Sequence, residues 1–110
     1  MVTRVTRTLS QTDVFRAIAD PTRRAILDRL RAGPARAGAL AADFQFSRPA
    51  ISKHLRVLRR ARLVGYQRVG RERLYAVDPL PLQSVAGWLE GYRSFWRASL
   101  VALKRDLEKK

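Results

Sequence analysis

The segment SRPAISKHLRVLRR, residues 47–60, constrains this chain more than any other. Ile51, Leu55 and Leu58 recur at i, i+4 and i+7, the spacing of one helical face. Arg48, Ser52, Lys53, Arg56, Arg59 and Arg60 occupy the opposite face. Ser47 suits the N-cap, and Pro49 falls in the first turn, where its missing N–H costs little. The spacing therefore predicts a helix that buries one side in a small domain and offers a cationic side to a partner.

The flanking signals build the rest of that domain. Residues 1–9 have no helical period and read as a flexible basic arm. Ser10, with acidic Asp13 three residues on, opens a short helix to about Ala19, with Val14 and Ile18 on one face. Asp20-Pro21 starts a second helix with the stripe Ile26, Leu27 and Leu30, and Gly33-Pro34 ends it. A third runs from Arg36 to about Phe44, with Leu40 and Phe44 inward, and Gln45-Phe46 turns into the segment above. Beyond Ala61, Leu63 to Val69 and Arg73 to Val77 are rich in β-favouring residues and read as a two-stranded hairpin closed by Gly70-Arg71-Glu72. After Asp78-Pro79 and Pro81, apolar residues from Leu82 to Leu107 repeat at intervals of three and four, a long amphipathic helix. The expected fold is mainly α with a β-hairpin.

Charge bounds the function. The chain of 110 residues has 23 Lys+Arg against 9 Asp+Glu, a net charge of +14, so a polyanion is the natural partner. Between Phe44 and Tyr75 nine basic residues stand against Glu72 alone, placing +8 of that excess in under a third of the chain. With no Cys and only His54, thiolate metal sites are excluded and no metal or other cofactor is expected. No nucleophile–base pairing, Gly-rich phosphate loop or gathered carboxylates point to an enzyme. No stretch is apolar enough for membrane insertion and the first residues lack the apolar run of a secretion signal, so the expected location is cytoplasmic.

Two short helices joined by a tight turn, the second carrying small polar and basic residues outward at its start, form a unit that places a helix in the DNA major groove. The stretches DPTRRAIL, SRPAISKHLRVLRRARLV and GRERLY resemble the winged helix-turn-helix of the ArsR-type bacterial repressors over about Gln11 to Val77. The resemblance implies a winged helix-turn-helix DNA-binding domain over residues 10–78 and a C-terminal dimerisation helix over residues 79–110. It also implies a homodimeric, sequence-specific repressor on a pseudo-palindromic operator of double-stranded DNA. Ser47, Arg48, Pro49, Ser52, Lys53 and Arg56 match the recognition helix, and Arg68, Arg71 and Arg73 the wing. Metal-sensing members carry paired cysteines on the third helix; here stands AGALAADF. The cysteine-free autorepressors are the nearest subgroup, implying repression of its own operon, relieved by a regulatory protein or a small-molecule inducer.

Competing readings attach to several residues. Arg24, Arg36 and His54 are candidate phosphate contacts, but His54 reads first as a packed histidine beside the buried stripe. Arg59, Arg60 and Arg62 read equally well as a solvated helix end favoured by the dipole. An RNA- or protein-binding module is the rival function, disfavoured because the aromatics gather in the last helix rather than on a sheet. There Val85, Trp88, Leu89, Tyr92, Phe95, Trp96 and Leu103 read as a dimer interface, one face on the chain's own domain and the other on a partner.

Overall fold

The computed structural model describes residues 12–109; the expected basic arm and the Ser10 cap lie outside the described residues. Residues 12–18 are helical (α1). Then follow α2 (Pro21–Arg31), β1 (Ala35–Arg36), α3 (Ala37–Phe44), α4 (Arg48–Arg60), β2 (Val64–Val69), β3 (Glu72–Val77), a 3-10 turn (Leu80–Leu82) and α5 (Gln83–Glu108).

Local chemistry sets these boundaries. The Asp20 carboxylate accepts from the Arg23 N–H at 3.0 Å and caps α2, with Pro21 in the first turn. Ser47 Oγ accepts from the Ala50 N–H and caps α4. Gln45 ends α3 in the left-handed conformation, φ 57°. The Phe46 and Gln45 N–H groups donate back to the Ala41 and Ala42 carbonyls, so the helix-to-helix turn is closed by its own backbone. Arg62, φ 62°, closes α4 in the same way, with its N–H and that of Leu63 donating to the Arg59 and Leu58 carbonyls.

Ile26, Leu40, Ile51, Leu55, Leu58 and Leu63 are fully buried, so α2, α3 and α4 share one apolar centre with the start of β2. Phe44 packs partly buried against it. An ion pair between Arg29 and Asp43 at 2.9 Å spans α2 and α3 on the surface.

Three expectations need correction. The sheet has three antiparallel strands, ordered β1-β3-β2, instead of two. Ala35 and Arg36 pair with Tyr75 and Leu74, so Arg36 belongs to a strand and α3 starts one residue later. A two-residue strand exists only through its partner and carries no period of its own. The hairpin turn is shorter too: Val69 pairs with Glu72, leaving Gly70-Arg71 between them. Gly70 takes φ 66°, which a tight hairpin asks of its first turn residue. Finally, α5 does not lie along its own domain. Leu82 and Val85 pack on the core and Trp88 meets Phe15 edge-on at 5.8 Å, but no residue of α5 is buried.

Candidate nucleic-acid interface

The capped start of α4 and the hairpin, hereafter the wing, form one cationic surface. Arg48, Pro49, Ser52, Lys53 and Arg56 are all exposed on α4, as is Ser47 at its cap. Among the described residues the ion pairs are Arg29–Asp43, Arg36–Glu72 and Arg93–Glu90, so no carboxylate neutralises a cation of α4.

Period-two alternation and the β2–β3 register put Val64, Tyr66 and Arg68 on the same face as Val77, Tyr75 and Arg73. The inner end of that face is core, with Val64 and Tyr75 buried. Its outer end is cationic. Arg68 and Arg73 stand opposite each other, an arrangement of like charges that opposes pairing. Arg73 is held nonetheless. The Tyr75 hydroxyl accepts a hydrogen bond from its guanidinium, which keeps Arg73 more basic than an ordinary arginine, and proximity to Tyr66 adds to this. Arg73 also lies 4.4 Å from the Tyr66 ring centroid, and Arg59, from the end of α4, lies 4.9 Å from the same centroid. Tyr66 thus links α4 to the wing.

A cavity of about 250 Å³ lies where these elements meet. Arg48 and Ser52 line it from α4, Arg71, Glu72 and Arg73 from the wing, Arg36 from β1 and Gly38 from the start of α3. A concave surface with this excess of guanidinium groups concentrates positive potential and attracts phosphodiester oxygens.

Of the other residues expected at the site, only Arg36 borders this cavity. Lys53, Arg56 and Arg68 are exposed outside it. Arg36, which lines it, is paired with Glu72. Arg24 donates to the Ile18 carbonyl at 2.7 Å and borders a different, mainly apolar cavity with Leu27, Val77 and Leu82. Arg23 donates to the carbonyls of Ala17 and Arg16, so both side chains close the C-terminal end of α1. His54 stacks on Phe46 at 6.3 Å, with a buried Nδ1 that finds no hydrogen-bond partner among the described residues.

The sequence singles out neither Tyr66 nor Tyr75 as a site residue, and it leaves Arg59 reading equally well as a solvated helix end. The signal for the tyrosines was present, since two-residue spacing places Tyr66 beside Arg68 and Tyr75 beside Arg73. The contact of Arg59 with Tyr66 required the packing of helix on wing.

A model of the bacterial regulatory proteins of the arsR family matches residues 20–66. The chain is 45% identical over 87 residues to the HTH-type transcriptional regulator Rv2034 of Mycobacterium tuberculosis, an alignment covering 79% of this chain and 78% of that one. It is 42% identical over 77 residues to the transcriptional repressor SdpR of Bacillus subtilis, covering 70% and 86%. An ArsR-like transcriptional regulator from Rhodococcus sp. RHA1 superposes with a TM-score of 0.73 at 35% identity, over 96% of this chain and 97% of that structure.

Proposed function

The chain belongs to the ArsR family of bacterial regulatory proteins, DNA-binding transcriptional regulators, and from that premise we propose that it acts as a homodimeric repressor. In this reading the outer face of α4 enters the major groove of an operator and the wing follows the flanking backbone. The observation that carries it is the convergence of Arg48 and Ser52 with Arg71 and Arg73 on one surface whose single carboxylate, Glu72, is paired with Arg36. A major groove about 12 Å wide admits a single helix, and Ser, Lys and Arg near its N-terminus reach base edges and phosphates.

Two identical subunits related by a two-fold axis read half-sites about one helical turn apart, roughly 34 Å centre to centre. Repression follows by occupying the operator, and SdpR, which bears the name of repressor, supports that direction of regulation. Control of its own operon, relieved by a regulatory protein or a small-molecule inducer, completes the reading, and no bound metal is required.

Ser52, Lys53 and Arg56 supply sequence preference, while Arg48, Arg68, Arg71 and Arg73 supply affinity through phosphates. Lys53→Ala is the direct test. The variant is expected to weaken binding to a duplex that the wild type selects from a random pool. A base-edge contact costs about 1–3 kcal/mol and relaxes preference at one position; a phosphate contact lowers the salt slope by about 1. Unchanged affinity and unchanged salt slope would remove Lys53 from the interface.

A further inference from the structure

We infer that Gly38, on the helix before the recognition helix, is a positioning residue for DNA binding: its missing side chain is the seat of the Arg48 guanidinium. The inference rests on the DNA-binding reading of the face that carries Arg48.

A methyl group at position 38 would stand 2.6 Å from Arg48 Nη2 and 3.4 Å from both Cζ and Nε, so Arg48 lies directly across the bare backbone of α3. The chain's five other glycines have open space where a methyl would go. The three atoms nearest the added methyl all belong to the end of one flexible side chain, so the fold accepts alanine at Gly38 and the guanidinium's seat does not. Helix propensity gives no reason for glycine there, since it is the poorest non-proline helix former and its neighbours Ala37 and Ala39 are the best.

Arg48 has no ion pair or hydrogen bond among the described residues. It sits near the N-terminal end of α3, where the helix dipole disfavours a cation. Neither term explains the placement by stability. What it achieves is an unpaired guanidinium beside Arg71 and Arg73 in the cavity shared with Ser52 and the Arg36–Glu72 pair. An arginine already seated there loses less side-chain freedom when it grips a phosphodiester. Displaced by a methyl, it must be ordered again on each binding event.

The test is a cycle of Gly38→Ala, Arg48→Ala and the double variant, each measured for affinity to a duplex selected by the wild type from a random pool and for Tm. Gly38→Ala is expected to bind roughly three- to tenfold more weakly, with Tm unchanged or raised. In the Arg48→Ala background the same change should have no further effect, because the group it displaces is gone. Wild-type affinity in Gly38→Ala, an equal loss in both backgrounds, or a lowered Tm would overturn the inference. Wild-type affinity in Arg48→Ala would instead overturn the DNA-binding reading of Arg48, and the inference with it.

Discussion

Arg73 illustrates how a residue is committed to a surface that its neighbours oppose. The cross-strand Arg68 repels it, yet the buried Tyr75 supplies a hydroxyl acceptor and Tyr66 a ring face. Tyr75→Phe keeps the buried ring and removes only the acceptor. The variant should fold with nearly the wild-type Tm and bind a selected duplex about threefold more weakly, measured by fluorescence anisotropy; undiminished binding would mean that Arg73 needs no such support. Asp20 carries the pH dependence. The backbone hydrogen bond from Arg23 holds its carboxyl below the ordinary value of 3.8, against a smaller opposing desolvation, and the charges of Arg23 and His54 add to the lowering. A depressed folded-state value stabilises the protein above the ordinary range, and that contribution is lost as pH falls through the folded value. Asp20→Asn retains a capping oxygen without the titration, so its Tm should fall less between pH 5 and pH 2 than that of the wild type. Parallel acid profiles would show that the cap does not depend on charge.

The elements that announced themselves in the sequence are those whose causes are local. Ser47 and Asp20 cap the helices they were expected to cap, and the stripe Ile51, Leu55 and Leu58 is buried as its spacing implied. The left-handed residue between α3 and α4 is local as well, though it falls on Gln45, which pays a steric cost that glycine would not. Gln45→Gly should therefore raise stability by up to about 1 kcal/mol in chemical denaturation, without altering the m-value. Destabilisation would mean that the Gln45 side chain contributes more than its backbone costs. Strand β1 was not legible, because Ala35 and Arg36 become a strand only by meeting Tyr75 and Leu74, some forty residues later. The seat of Arg48 on Gly38 was hidden for the same reason, since it depends on how closely α3 and α4 approach. The amphipathic period of α5 declared a face that needs burial, read as one side on its own domain and the other on a partner; Val85, read among the dimer contacts, packs partly buried on its own domain.

At the scale of the whole molecule the shape itself is unfinished. The radius of gyration is 18.6 Å, against about 13 Å for a compact domain of 100 residues. The excess is α5, whose 26 residues reach about 39 Å at 1.5 Å per residue. Along it Trp88, Leu89, Tyr92, Phe95, Trp96, Leu100 and Leu103 remain exposed, Phe95 by 67%. Trp88, Tyr92 and Trp96 lie in a continuous file with ring centroids 5.2 and 6.3 Å apart. Such a row on a free subunit is an aggregation hazard, and in the proposed homodimer a second copy would cover it with the same row. Each aromatic withdraws about 150–250 Å² from water, so four approach the roughly 800 Å² per partner of a standard interface. Phe95→Asp should shift the protein towards monomer in sedimentation and weaken operator binding while leaving the wing and α4 folded.

The most direct measurement is the mass and sequence of the complex together: duplexes selected from a random pool, followed by sedimentation of the protein on the recovered sequence. Two chains on a two-fold symmetric site, with half-sites about one helical turn apart, are the expected result. A single chain per duplex, with no sequence enriched over the starting pool, would contradict the account.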